Sequence, residues 1–279
     1  MEVVSKIVRM RAVMDELRQR GRPVALVPTA GGLHEGQLSL VRQARERDAE
    51  VVVSIYPPSH DPGLTVDAES LVGEGVRVLF APDENELFPE GHCTRVEVSG
   101  LTERRLGLKT RDELVQVTTL VTKLFHVIRP DLALFGWNDP QQLLVLRRLV
   151  RDLDLEVEIV GAPIVRDDEG VALSTHRDDL GEAGRKAASA IYRALQEARR
   201  LVEDGERSSR AVIDAITTRL GEEDDLDVAE VEVVGARDLT PIDRVEGLVL
   251  LVAAAVLEAE GREPLRLVDS LRVDVAQDS

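Results

Sequence analysis

Residues 23–42 read PVALVPTAGGLHEGQLSLVR. VALVP is a short apolar, β-branched run of the kind that forms a buried strand. It breaks at Thr29, Ala30, Gly31 and Gly32, passes through His34-Glu35-Gly36, and resumes as an amphipathic helix led by Leu38, Leu40 and Val41. A strand that feeds a glycine turn and then a helix commits the chain to a βα unit, which joins its sheet as a parallel strand. The arrangement also has a chemical reading. Glycines let backbone approach an anion closely, and unpaired N–H groups at a helix N-terminus point toward it. His34 stands where a side chain would touch the same phosphates. An ordinary βα turn with a surface histidine has the same spelling, so the spacing alone leaves both readings open.

The pattern repeats. Strand-like runs at 24–28, 51–55, 76–80, 132–136 and 156–161 alternate with helix-like periods at 3–20, 36–48, 65–74, 111–129 and 139–152. Such alternation predicts an α/β chain, a Rossmann-like, doubly wound parallel sheet with helices on both faces. Ligands of such sheets bind outside the carboxyl ends of the strands, where 28–37 and 136–142 both fall. TRVEVSG (94–100) reads as an extra strand or an excursion. After residue 178 the texture changes. Helices are expected at 179–204 and 207–220, then an acidic turn at 221–227, then strands at 228–234, 248–257 and 265–275. Periodicity alone leaves 248–257 open between strand and helix. The expected division is a domain of residues 1–164 that binds nucleotide and acid, followed by a small C-terminal α+β lid of residues 165–279, with a hinge near 163–177.

Composition narrows the function. Formal net charge is −17, with no Lys/Arg cluster to reverse it locally. That surface repels nucleic acid, and any site for an anionic nucleotide must build its own positive potential. Aromatic residues are 3% of the chain, so there is no stacking platform for bases. Cys93 is the lone cysteine, which excludes an internal disulfide framework and a cysteine metal cluster. The first residues are amphipathic and mixed in charge, unlike a signal peptide. The apolar run 247–257 is too short for a bilayer-spanning helix. A cytoplasmic protein without nucleic-acid or membrane partners is expected.

PTAGGLHEGQLSLVRQARERDAEVVVSI (28–55) closely resembles the first motif of the pantothenate synthetase (pantoate–β-alanine ligase) family, which typically reads PTMGALHEGHLSLVR. FAPDENELFPEG (80–91), VTKLFHVIRPDLALFGWNDPQQLLVLRRLVRDL (121–153), EIVGAPIVRDDEGVALST (158–175) and LRLVDS (265–270) follow in family order. The resemblance implies two-step amide formation. A carboxylate attacks the α-phosphate of ATP, giving an acyl adenylate and pyrophosphate; an amine then displaces AMP. It implies ATP with Mg²⁺, a small acid and an amine as reactants, and a homodimer. Pairing with a paralogue is left open beside the homodimer.

Residue by residue, the resemblance puts Pro28, Thr29, Ala30, Gly31, His34, Gly136, Asn138, Asp139, Val165, Ser174, Thr175, His176 and Arg177 at the ATP site. His34, Gln37, Ser174 and Thr175 take the catalytic positions, Gln142 meets the acid, and no metal-ligating side chain is assigned. The chain departs from the family at several of these places. Gln37 replaces the second histidine of HxGH; it donates a hydrogen bond but carries no charge. Ala30 replaces a methionine. Asn138 stands for the lysine of FGEKD, and His176 for the arginine of MSSRN, with Arg177 one place later. SIYPPSHDPGLTV replaces SIFVNPLQFGPNEDL, and KTRDELVQV (109–117) replaces RPGHFRGV. Each missing cation would cost about 10²–10³ in rate if nothing substitutes for it; His176, Arg177, His60 and Lys109 are the substitutes at hand.

Other residues have plainer readings. Trp137 reads as packing beside a strand end, His60 as an exposed loop residue, and Asp167-Asp168-Glu169 as a solvated acidic turn rather than a metal cluster. Three functions stay open at this point: an acid–amine ligase, with pantoate and β-alanine or with related substrates; a catalytically impaired homologue serving as a nucleotide-binding or partner subunit; and another nucleotidyl transfer on the same scaffold.

Overall fold

The computed structural model describes residues 1–57, 63–101, 109–173, 180–224, 226–257 and 264–275. They divide into two compact units. One takes in most of the chain up to Val165; the other takes in the chain from Arg166 onward together with Asn138–Leu144.

The first unit is a parallel sheet of six strands in the order β1-β4-β3-β2-β5-β6. These are β1 (Glu2–Val4), β2 (Val24–Thr29), β3 (Glu50–Ile55), β4 (Val78–Phe80), β5 (Leu132–Gly136) and β6 (Glu158–Ala162). Their crossovers are helices α1 (Ile7–Arg18), α2 (Glu35–Glu46), α3 (Gly63–Gly73), α4 (Glu84–Leu87), α5 (Arg111–Ile128) and α6 (Pro140–Asp152). The strands read as continuous apolar runs because helices cover both faces. On one face Ala25, Val27, Val51, Val53, Leu132 and Leu134 pack with Leu40, Val41 and Ala44 of α2 and Leu71 of α3. Strand order runs outward from β2 through β3 and β4, and in the opposite sense through β5 and β6, so the topological switch lies between β2 and β5.

One expectation changes and one open reading is decided. Residues 3–20 are read as one helix, yet Glu2–Val4 is a strand that pairs in parallel with Val78–Phe80. Val3 and Val4 satisfy β4's open edge, and α1 starts only at Ile7, whose N–H donates to Glu86 Oε1 at 2.9 Å. Residues 94–100 are an excursion rather than a strand. The Val96 N–H donates to Thr119 Oγ1 at 3.0 Å and the Val96 carbonyl accepts from Thr118 Oγ1, so the segment hangs on α5 and joins no ladder. The other elements of this unit lie within a few residues of their expected places.

The second unit sets α7 (Gly181–Glu203) and α8 (Ser209–Leu220) on an antiparallel sheet of β7 (Leu226–Gly235), β8 (Gly247–Leu257) and β9 (Leu265–Val275). Ala187, Ala190, Ile191, Ala194, Leu195 and Ala198 recur at helical spacing and bury against Val249, Leu251, Ala253 and Ala255. The apolar run left open between helix and strand is the central strand β8, paired on both sides. The expected acidic turn ends where β7 begins, at Leu226. No helix among the described residues is long and apolar enough to cross a membrane.

Candidate active site

The turn after β2 is built by its own hydrogen bonds. Gly31 and Gly32 adopt φ +85° and +62°, a left-handed conformation that a Cβ would strain. The Gly31 N–H donates to Thr29 Oγ1 at 2.9 Å. The Gly32 and Leu33 N–H groups donate to the two carboxylate oxygens of Asp67, at 2.9 and 2.8 Å. His34 is the N-cap of α2. Its Nδ1 accepts from the Gly36 N–H at 3.1 Å, and its own N–H donates to Gln37 Oε1 at 2.9 Å. The sequence alone predicts unpaired amides here, poised for an anion. The structure instead gives Gly31, Gly32, Leu33, His34 and Gly36 intramolecular partners, so a phosphate at this turn meets mainly side chains.

Because Nδ1 accepts, the neutral imidazole carries its hydrogen on Nε2. Partial burial pushes the His34 pKa down, which favours that neutral form. His34 is thus a fixed, uncharged donor at the carboxyl end of β2. Gln37 spends its carbonyl on the His34 backbone, a capping-box return.

Pro28 and Thr29 end β2, opposite Ser54 and Ile55 of β3. Ala30 follows them in the turn, and Gly136 ends β5, the neighbour of β2 across the switch. These residues, with His34, Gln37 and Val165, belong to the first unit; Asn138, Asp139 and Gln142 group with the second. Asn138 is exposed. Asp139 is buried and caps α6, its Oδ1 accepting from the Gln142 N–H at 2.8 Å, with Pro140 at the first helical position. Ser174, Thr175, His176 and Arg177 lie outside the described residues, as does His60. Trp137 is buried, with the Arg147 guanidinium 5.3 Å from its ring centroid, so packing accounts for it. Asp167 is a turn-former: its Oδ1 accepts from the N–H groups of Glu169 and Val171. Among the described residues, no three His, Cys, Asp or Glu side chains converge to hold a metal ion.

At the carboxyl ends of β3 and β4 a cavity of about 610 Å³ opens in the first unit. Its walls mix apolar groups (Phe88, Val117, Leu120) with the cations Arg95 and Lys109. Tyr56, directly after β3, meets Phe88 in a tilted ring contact with centroids 5.6 Å apart, and Phe88 meets His92 edge-on at 5.0 Å. Burial, and then the Glu84 charge, raise the Tyr56 pKa, which keeps its hydroxyl a donor. Glu113, also in the wall, turns its carboxylate to the Thr110 N–H and Oγ1 at the start of α5. Sequence reasoning finds neither Asp67 nor His92 here. Asp67 sits mid-helix with no motif around it, and His92 lies in an irregular loop.

The family model of pantoate–β-alanine ligase matches residues 2–272. The chain belongs to the pantoate–β-alanine ligase family. It is 42% identical to the pantothenate synthetase of Rhizorhabdus wittichii over 99% of this chain and all of that one. It is 38% identical to that of Heliobacterium modesticaldum, with the same coverage. The fold superposes on pantothenate synthetase from Thermus thermophilus with a TM-score of 0.85 and 34% identity, covering 97% of this chain and 99% of the other. Pantoate–β-alanine ligase from Francisella tularensis, solved with βγ-ATP and β-alanine, has the same fold at 21% identity, with a TM-score of 0.72 and 97% of each chain covered. Membership in the family and the Rossmann-like sheet with its small α+β unit agree with the sequence expectation.

Proposed function

We propose that this chain is an ATP-dependent ligase that joins pantoate to β-alanine. A pantoate carboxylate oxygen bonds to the α-phosphorus of ATP as the bond to pyrophosphate breaks. The β-alanine nitrogen then attacks the acyl carbon, AMP departs, the amide forms and the nitrogen loses a proton. Little covalent work falls to the protein; it must orient the reactants and stabilise charge shifting onto phosphate oxygens. His34 carries the reading. By resemblance it takes the family's phosphate-facing position, the whole-length family match supports that placing, and its tautomer leaves Nε2–H as a donor that needs no reorganisation.

The remaining assignments belong to the same reading. Pro28, Thr29, Ala30, Gly31, Gly136, Asn138, Asp139, Val165, Ser174, Thr175, His176 and Arg177 line the ATP site, Gln37 supports His34, and Gln142 meets the acid. The cavity beside Tyr56 suits a small acid with an apolar body, because Arg95 and Lys109 supply charge while Val117 and Leu120 supply a dry wall. Mg²⁺ enters as part of the nucleotide substrate, a role that needs no dedicated side-chain cage. Residues 1–164 hold nucleotide and acid and residues 165–279 form the lid, the protein acts in the cytoplasm, and the oligomer is a homodimer. A non-catalytic role draws support only from the altered residues at 37, 138 and 176, and whole-length likeness to curated synthetases weighs against it.

The test is an assay with ATP, Mg²⁺, pantoate and β-alanine that follows AMP, pyrophosphate and pantothenate. Equal amounts of the three products are expected. Absence of all three with pantoate and with a panel of other small acids overturns the reading. Light scattering of the purified protein checks the dimer.

A further inference from the structure

Asp67 is 3% exposed, sits in the middle of α3, and turns both carboxylate oxygens onto backbone of a segment more than thirty residues earlier. The N–H groups of Gly32 and Leu33 converge on it at 2.9 and 2.8 Å. Consecutive amides that converge in a glycine turn form the kind of concavity that elsewhere takes a bound anion. Here that anion is part of the protein. The next residue is His34, whose N–H and Nδ1 are both tied into the first turn of α2. Two hydrogen bonds from Asp67 on α3 thus hold the residues that run directly into His34, and the imidazole is held in turn by the first turn of α2.

We infer that Asp67 is a positioning residue for the ligase site: its carboxylate fills the glycine turn as an internal anion, fixes the direction of the His34 Nε2–H, and leaves phosphate contacts to side chains. The role of His34 in catalysis rests on the proposed function; the seating of the turn does not. The carboxylate is specific to this task. Two acceptors meet two donors, whereas an asparagine side chain in its place would set an NH₂ against one of the backbone N–H groups. An apolar residue would leave both N–H groups without their carboxylate partner.

The experiment uses the whole enzyme and the variants Asp67→Ala and Asp67→Asn. The kcat is expected to fall about 30- to 100-fold in D67A, with KM for pantoate and β-alanine within about threefold, the pattern of a lost transition-state contact. Formate at about 0.1 M should restore at least fivefold of the D67A kcat and leave the wild type unchanged, because a small carboxylate can re-enter the vacated turn. A residue needed only for folding would lose melting temperature and KM together and gain nothing from formate. Amide hydrogen exchange gives the second readout: Gly32 and Leu33 should exchange about 10²-fold faster in D67A. If D67A does not fold, D67N takes its place in the kinetic and exchange measurements. A kcat within twofold of wild type in the folded variants, or unchanged exchange at Gly32 and Leu33, overturns the inference. If the wild type forms no pantothenate, the ligase reading falls instead, and the exchange result alone decides whether Asp67 seats the turn.

Discussion

His34 does two jobs with two nitrogens, and they are separable. Nδ1 caps α2 by accepting from Gly36; under the proposed function, Nε2–H serves the substrate. His34→Asn keeps a good N-cap and replaces the Nε2–H with a shorter amide that does not reach the same place. Its kcat is expected to fall about 10²–10³-fold, while urea unfolding at pH 7 stays within about 1 kcal/mol of wild type. The imidazole also links stability to pH. Its pKa is lowered in the folded state, so the unfolded chain binds more protons on acidification. The stabilisation is complete above the unfolded value of about 6.5 and is lost as pH falls through the folded value. Melting curves between pH 7.5 and 5 should show wild type losing more than H34N, with no difference in slope above about pH 7. Asn138 tests the missing charge. Asn138→Lys alone should raise kcat/KM for ATP about tenfold, the size of one charge-assisted hydrogen bond. Pairing it with Gln37→His is the weaker experiment, because Gln37 Oε1 holds the His34 backbone N–H. A flat or lower value for N138K would remove the account of charge at this position.

At the scale of elements, the stretch leading toward residues 174–177 is held by one buried ion pair. Arg166 donates to both oxygens of Asp269 on β9, at 2.6 and 2.8 Å, and to the Gly170 carbonyl at 3.0 Å. Its guanidinium lies 4.0 Å from the Tyr192 ring on α7, and both charged side chains are only 11–12% exposed. One arginine thus joins the 166–172 hairpin to a strand and a helix of the second unit. Arg166→Met strands the buried Asp269 carboxylate and should cost about 3–5 kcal/mol, whereas the double variant with Asp269→Leu should recover most of that loss; denaturant titration of the three variants checks it. Gly170 belongs to the same device. It holds φ +83°, and a Cβ there would lie 2.1 Å from a Tyr192 ring carbon. Gly170→Ala should cost about 2–4 kcal/mol through backbone strain and overpacking together.

For the whole molecule, the governing quantity is the net charge of −17. At low salt the field of such a chain opposes an approaching nucleotide over tens of ångströms, since the Debye length is about 30 Å at 0.01 M and about 8 Å at 0.15 M. Raising salt across that range should therefore raise kcat/KM for ATP, and N138K should flatten the dependence. Stopped-flow or steady-state kinetics at fixed free Mg²⁺ measure this. A kcat/KM that falls steeply with salt would mean that local cations, not the overall charge, dominate encounter.

The amino-acid order alone determined the parallel sheet, because periods of two and 3.6 residues and glycine–histidine turns are local properties. It also carried the family, through several blocks in order, and placed residues 28–34 and 136–139 at and just beyond the ends of strands. What it did not carry were facts settled by distant partners. Val3 and Val4 become strand only because β4 offers an open edge. The amides of the glycine turn look free along the chain and are not, because Asp67 arrives from α3 to accept them. Hydrogen-bond satisfaction is a property of the folded surroundings, and so the tertiary structure, not the motif, decided how this site is open to an anion.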